Sequence, residues 1–204
     1  CPSKAVQKGN FGACLMKKKE LVRDCLNAMA SNTNIEVSMK CRIGIGDKLD
    51  YSFFHEFIDE TIKSGIKIIY VHARNAILNG LNPKKNRTLP PLNYDFVYKI
   101  KKNYPYIQFI LNGGINNLND AYKYSQKFDG VMLGRLIKAD PFCLLNIDEL
   151  FFNKISNGNF YHNIIIEYFD YIKKRIDHDS IFRLLSPLLH IFFATPNSKK
   201  IKSE

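Results

Sequence analysis

Two hydrophobic patterns alternate along residues 18–135. Short apolar runs at 35–41, 66–71, 107–111 and 130–133 are bounded by glycine or polar residues, as buried strands are. Between these runs the apolar residues recur at helical spacing, as Phe53, Phe54, Phe57, Ile58 and Ile62 do. The pattern therefore predicts strands that alternate with helices, which is typical of a parallel sheet with helices packed outside it.

After Pro141 the pattern becomes helical throughout. It predicts a last helix of the α/β layer at 142–152, a hinge at 157–159, and two further helices at 164–176 and 181–193. We therefore expect an α/β domain over residues 1–153 and a small all-α segment over residues 154–204.

Glycines end two consecutive predicted strands. Asn112, Gly113 and Gly114 follow one strand, and Gly134 and Arg135 follow the next. The backbone N–H groups of glycines can approach a bulky anion closely, and an arginine adds a permanent positive charge. In an eight-stranded α/β barrel such a phosphate site is built by the loops after the seventh and eighth strands. The alternative is that these glycines only end their strands.

Only four strands are predicted, whereas a barrel of this kind needs eight. The expected fold class is therefore α/β, the C-terminal half of a TIM (β/α)8 barrel followed by a small all-α segment. Residue 1 is cysteine rather than methionine. We expect a fragment or a processed product, with the other half of the barrel before Cys1.

Composition narrows the function classes. The chain has no membrane-length apolar run and no signal-peptide pattern, and its five cysteines include no CxxC pair, so we expect a soluble cytoplasmic protein with reduced thiols. The formal net charge of +11 favours a polyanionic partner, although compositional drift towards lysine is an alternative. No metal site is predicted.

Six segments occur in an order and at spacings that are similar to those of one known family. CPSKAVQKGNFGACLM is followed by VSMKCRIGI, YVHAR, NPKKNRTLPPLNYDFVYKIK, LNGGI and GVMLGR, with the first segment resembling an active-site loop. The chain resembles the tRNA-dihydrouridine synthases, and in particular their A-type branch.

The resemblance implies a fold, a reaction and a set of site residues. It implies an FMN enzyme that uses NADPH and reduces uridine 20 or 20a in the tRNA D-loop to 5,6-dihydrouridine. In that family's pattern Cys1 matches the proton donor, Lys40 faces the flavin pyrimidine edge, and His72 contacts FMN. Asn112, Gly113 and Gly114, with Gly134 and Arg135, match the FMN phosphate loops. Cys14, Cys25, Cys41 and Cys143 are expected to be packing residues.

The resemblance also implies tRNA contacts. Lys84 and Arg87 match a basic pair that holds tRNA, and Lys199 and Lys202 fall where a second pair would lie. The expected partners are thus tRNA and NADPH, with no membrane, for a protein that is a monomer when complete. Two alternatives remain: a fragment without catalysis that at most binds RNA through its basic surface, and an FMN barrel that acts on a small molecule.

Overall fold

The structure is a computed structural model that describes residues 2–154 and 160–191. The described residues divide into two compact units. The first contains the residues up to 115 and residues 123–132, and the second contains residues 116–122 and those from 133 onwards.

The first unit is built on a parallel sheet. In the described part of the chain the sheet has four strands: β1 Ser38–Arg42, β2 Ile68–His72, β3 Gln108–Asn112 and β4 Gly130–Met132. They lie in the order β1-β2-β3-β4, and every neighbouring pair is parallel. The predicted α/β fold with four parallel strands is confirmed. Strand order that follows chain order is what consecutive strands of a barrel require.

Helices connect and flank these strands. The first unit holds α1 Lys4–Lys8, α2 Lys19–Ser31, α3 Tyr51–Ile62 and α4 Tyr94–Asn103. Helix α5, Leu118–Ser125, connects β3 to β4. The second unit holds α6 Arg135–Ala139, α7 Ile147–Phe152, α8 Phe160–Arg175 and α9 Ile181–Ile191.

Helix α3 begins and ends where its sequence predicts. The Asp50 carboxylate accepts a hydrogen bond from the Phe53 N–H at 3.0 Å, so it caps the first turn. Gly65 follows the helix with φ +87°, the left-handed conformation that glycine adopts without a Cβ penalty.

The two faces of the sheet differ in burial. Ile69, Val71, Phe109 and Leu111 are fully buried and belong to the hydrophobic core, together with residues of α3 and α4. Apart from His72, which is buried, the alternate positions of β1, β2 and β3 are half-buried or exposed, and these include Lys40, Tyr70 and Ile110. Since side chains alternate across a strand, the second face is the one that presents Lys40.

Helix α2 buries less than its sequence suggests. Leu26 is 4% exposed, whereas Leu21 and Met29 are 46% and 50% exposed and Cys25 is also exposed. The packing role expected of Cys25 is therefore wrong. Ion pairs join the helix to α3, among them Lys19 to Glu56 at 2.8 Å, while Leu21 and Met29 of its apolar stripe lie in solvent.

Two segments differ from their predicted structure. The loop predicted over residues 1–16 contains α1 and a 3-10 helix, Gly12–Lys17, because the Ser3 hydroxyl accepts from the Val6 N–H and caps a short helix. The single helix predicted at 142–152 is divided into a 3-10 helix, Pro141–Asn146, and α7. The proline at the start and the asparagine between the pieces favour this division.

The second unit has a small core of its own. Ile172 of α8 packs with Leu184 and Leu188 of α9, and the Tyr168 hydroxyl donates to the Leu184 carbonyl at 2.7 Å. The proposed boundary between residues 153 and 154 stays a prediction, and the predicted hinge at 157–159 lies outside the described residues. Among the described residues, no helix is both long enough and apolar enough to cross a bilayer.

Replacing Phe109 by alanine tests the core on the helix side of the sheet. Phe109 is fully buried, so Phe109→Ala should lower the free energy of unfolding by about 3–5 kcal/mol. Urea denaturation of the full-length protein measures this change. Phe182→Ala is the control, because Phe182 is 77% exposed and its loss should cost within about 0.5 kcal/mol. Equal losses in the two variants would contradict the described burial.

Candidate active site

The carboxyl ends of the strands bring polar side chains to one edge of the sheet. In register, Arg42 of β1 lies beside His72 of β2, His72 beside Asn112 of β3, and Asn112 beside Met132 of β4. The row consists of the last residue of each strand. In parallel α/β sheets this edge is where ligands bind.

The Asn112 side chain connects three of these strands. Its Oδ1 accepts a hydrogen bond from Lys40 Nζ at 2.8 Å, and its Nδ2 donates to the Met132 carbonyl at 2.8 Å. Lys40 lies two residues before the end of β1, opposite Tyr70. Its side chain extends along the open face of the sheet towards the carboxyl edge, where it meets Asn112. The contact fixes the position of an ammonium group on that face.

The surroundings of Lys40 favour an anionic ligand. Lys40 as a residue is exposed, yet desolvation of its ammonium group lowers its pKa, and the charge of Arg42 lowers it further. In the described part of the chain Lys40 forms no ion pair with a carboxylate. An anion beside it would offset the desolvation cost of the charged form.

Gly113 allows His72 to lie against the loop after β3. His72 is 9% exposed, and a Cβ added to Gly113 would lie 2.4 Å from the His72 Cδ2. Gly113 also has φ +105°, a conformation that L side chains rarely adopt. The imidazole, the glycine and the Asn112 amide therefore form one compact group at the end of the sheet.

Gly114 continues this loop with φ +73°. A Cβ at Gly114 would lie 2.4 Å from Leu92 Cδ1 and 2.9 Å from the Tyr94 hydroxyl. That hydroxyl donates to the Gly113 carbonyl at 2.6 Å, so the loop after β3 is held by the N-terminus of α4. The two glycines are thus required by backbone conformation and by close packing, which goes beyond ending a strand.

Gly134 and Arg135 belong to the second unit. Gly134 is the residue before α6, and open space surrounds the position that its Cβ would take. Arg135 is the first residue of α6 and is exposed. The assignment of this pair to a phosphate stays a prediction from the sequence.

Lys84 and Arg87 lie in the loop between β2 and α4, and both are exposed. A 3-10 helix, Lys85–Arg87, brings Arg87 within one turn of Lys84. The backbone N–H of Arg87 donates to the Lys84 carbonyl at 3.2 Å. This loop leaves the same edge of the sheet that carries His72. Cys1, Lys199 and Lys202 lie outside the described residues.

Arg42 is a site residue that the sequence reasoning missed. Its Nη1 donates to the carbonyls of Asn75 and Asn86, at 3.2 Å and 3.0 Å. Desolvation and the positive charges of Arg74 and Arg87 lower the pKa of Arg42 to about 10. A usable signal was present, because alternation along β1 places Arg42 on the same face as Lys40.

Gln7 is a second residue that sequence reasoning missed, and unlike Arg42 it had no sequence signal. Its Nε2 donates to the Leu78 carbonyl at 2.9 Å and to the Pro2 carbonyl at 3.0 Å. It thereby fastens the start of the described chain to the loop that follows β2. A glutamine within a short polar helix offers no pattern from which this contact could be read.

Comparison with known proteins decides the family. The family model described as "Dihydrouridine synthase (Dus)" matches residues 1–201. The chain belongs to the dihydrouridine synthase family. This family has the TIM-barrel fold, in agreement with the parallel strands, and it is generally flavin-dependent.

Curated relatives of the family are similar over most of the chain. A tRNA-dihydrouridine(20/20a) synthase of Xanthomonas campestris is 38% identical over 98% of the chain and 59% of its own length. The proteins of that name from Xylella fastidiosa and Vibrio vulnificus are 48% and 36% identical, over 78% and 98% of the chain. These alignments cover 47% and 62% of the two relatives. The chain thus spans about half to three fifths of the curated relatives it matches.

The residues at the sheet edge are compatible with a flavin, on which the family generally depends. Lys40 supplies a cation that Asn112 holds in place, and His72 lies at the carboxyl end of the neighbouring strand, on the same face of the sheet. The space that a Cβ of Gly113 or Gly114 would take is filled by His72, Leu92 and Tyr94, so the loop after β3 packs closely against these side chains. A fixed cation and an imidazole on one face are groups that can bind electron-rich or anionic parts of a cofactor.

Replacing Gly113 by alanine, compared with the same change at Gly46, distinguishes the stability cost of lost close packing from the cost of backbone strain. Gly46→Ala is the control, because Gly46 has φ +87° but nothing within 4 Å of its Cβ position. We expect Gly46→Ala to cost about 1–2 kcal/mol of stability through strain. Gly113→Ala should cost more, since the new methyl group also displaces His72, and it should release flavin from the full-length protein. Urea denaturation and flavin absorbance measure both effects, and equal costs with flavin retained would contradict this packing.

Proposed function

We propose that this chain is part of an FMN-dependent tRNA-dihydrouridine synthase that reduces uridine 20 or 20a in the tRNA D-loop to 5,6-dihydrouridine, with NADPH as reductant. The names of the relatives support this substrate. The observation that carries the proposal is the contact between Lys40 and Asn112 at the carboxyl edge of a parallel sheet. This contact supports the proposed role of Lys40 as a cation beside the cofactor.

Each residue of the edge has a role in this proposal. The Lys40 ammonium group stabilises negative charge on the pyrimidine side of the flavin, and Asn112 holds the ammonium in place. His72 contacts the same ring system, and Gly113 and Gly114 face the phosphate. Gly134 and Arg135 complete the phosphate contacts in the family's pattern. When bound, the flavin supplies the hydride that adds to C6 of the uracil ring.

Cys1 is the proposed proton donor to C5. Addition of hydride at C6 leaves negative charge at C5, and a positioned acid removes it by giving up a proton. The ordinary pKa of a thiol lies within about two units of neutrality, so a cysteine is protonated at working pH and can still release its proton. The target base has to leave its stack to reach such a site.

The tRNA is held by charge. Lys84 and Arg87 are proposed to contact its phosphates from the loop after β2, and Lys199 and Lys202 to add a second pair. The formal net charge of +11 supports a polyanionic partner. We place the protein in the cytoplasm, where its tRNA and NADPH are found, and we propose that it acts as a monomer.

Reduction of tRNA by the full-length protein tests the reaction and the role of Cys1. Unmodified tRNA, NADPH and FMN should give dihydrouridine at position 20 or 20a, detected by mass spectrometry of tRNA digests. Cys1→Ala should slow this reaction by about 10²–10⁴-fold, the contribution typical of general acid catalysis. Oxidation of NADPH by the flavin should continue in the variant.

Cys25→Ala is the matched control for Cys1→Ala, because Cys25 is an exposed thiol on α2. Its variant should reduce tRNA at the unmodified rate. A purified full-length protein that binds no flavin, or a Cys1→Ala variant with full turnover, would contradict the proposed reaction or the proposed acid respectively.

The salt dependence of tRNA binding tests the basic loop. Each phosphate contact contributes about 0.7–0.9 to the slope of log K against log salt concentration. Lys84→Ala should therefore weaken binding and reduce the slope by about that amount. Lys127→Ala is a matched control, since Lys127 is an exposed lysine after α5 and away from this loop in the sequence. A slope that Lys84→Ala leaves unchanged would exclude Lys84 from the interface.

A further inference from the structure

The loop that carries Lys84 and Arg87 is organised around a buried amide. Asn86 lies between two exposed cationic residues, Lys85 and Arg87, yet it is fully buried. A buried polar side chain is tolerated only when its hydrogen bonds are satisfied. The side chain of Asn86 therefore has a defined set of partners, and these partners determine the course of the loop.

The Asn86 amide closes the loop on itself. Its Oδ1 accepts from the Ile77 N–H at 2.8 Å, and its Nδ2 donates to the Ile77 carbonyl at 2.8 Å. Nδ2 also donates to the Leu81 carbonyl at 3.2 Å. The side chain thus pairs with the backbone of Ile77 as a neighbouring strand would, and it joins the two ends of a ten-residue stretch.

The backbone of Asn86 is fixed as well. Its N–H donates to the Asn82 carbonyl at 2.9 Å, and its carbonyl accepts from Arg42 Nη1 at 3.0 Å. Arg42 is the last residue of β1, so the second bond fastens the loop to the sheet. The donors and acceptors of Asn86 are all engaged, and the turn cannot shift without breaking several bonds at once.

This turn sets the direction of the cations. Because Asn86 points inwards, Lys84, Lys85 and Arg87 are left in solvent on the outside of a single turn. The Arg87 guanidinium lies near enough to Arg42 for its charge to lower the Arg42 pKa. Since Arg42 Nη1 also binds the Asn86 carbonyl, the cationic turn lies beside the end of β1, at the carboxyl edge of the sheet where the proposed reaction takes place.

We propose that Asn86 is a positioning residue for tRNA: its buried amide fixes the turn that presents Lys84 and Arg87 to the phosphates. The inference rests on the proposed function, since it requires that these two cations contact tRNA. Asn86 itself is fully buried, so its side chain is not available to contact tRNA. Its effect on tRNA affinity passes through its neighbours, and this distinguishes it from a residue of general structural importance.

A double-mutant cycle in the full-length protein tests the proposal. The affinity for unmodified tRNA is measured by fluorescence anisotropy over a range of salt concentrations for Asn86→Ala, Lys84→Ala/Arg87→Ala and the triple variant. We expect Asn86→Ala to weaken binding by about fivefold or more and to reduce the salt slope by up to about 1.4–1.8, the share of two phosphate contacts. In the background that already lacks both cations, Asn86→Ala should change affinity by less than about twofold, because coupled residues are not additive.

Asn79→Ala is the matched control, since Asn79 is an exposed asparagine of the same loop. It should leave affinity and slope unchanged. If Asn86→Ala does not fold, Asn86→Asp takes its place with the same criteria, because it keeps the volume and the acceptor for Ile77 but loses the donors. Flavin absorbance reports that the sheet edge is intact in every variant.

The outcomes separate the two proposals. An equal loss of affinity in both backgrounds, or unchanged affinity in a folded Asn86 variant, would overturn the positioning role. If Lys84→Ala/Arg87→Ala leaves affinity and slope unchanged, the tRNA contact proposed for the loop is itself wrong, whatever Asn86 does.

Discussion

The hydrogen bond between Lys40 and Asn112 depends on the whole architecture of the first unit. These residues are 72 positions apart and lie on strands that are not neighbours. They meet because parallel pairing brings successive strand ends to one edge and because alternation turns both side chains to one face. The buried Phe109 and Leu111 keep that face turned away from the helices. Packing on one side of the sheet thus sets the chemistry on the other.

Much of this arrangement is predictable from sequence. All four strands lie within about three residues of their predicted bounds, because their apolar runs end abruptly in glycine or a polar residue. The placement of Lys40, His72 and Asn112 at one edge follows from the strand order. The capping role of Asp50 and the left-handed Gly65 also follow, since each depends only on residues close in the sequence.

Other features depend on distant contacts that no local pattern encodes. Helix α1 was missed because Pro2, Gly9 and Gly12 are typical of a loop, and the Ser3 cap outweighs them. The apolar residues of α2 recur at helical spacing, as those of a buried face do, yet Leu21 and Met29 are exposed. In the sequence Asn86 is one more polar residue in a basic loop, and nothing near it predicts that it is buried. Its burial becomes apparent only when Arg42, 44 residues earlier, is seen to bind its carbonyl.

The alternation along β1 makes Lys40 a safeguard against mispairing during folding. If β1 slipped by a single residue against β2, Lys40 would exchange faces with Met39 or Cys41 and enter the layer packed against the helices. An ammonium group without a partner in that layer would cost several kcal/mol, of order 2–7 for an uncompensated polar group and more for a charge. The cation that suits a cofactor therefore also disfavours the wrong alignment of the strand that carries it.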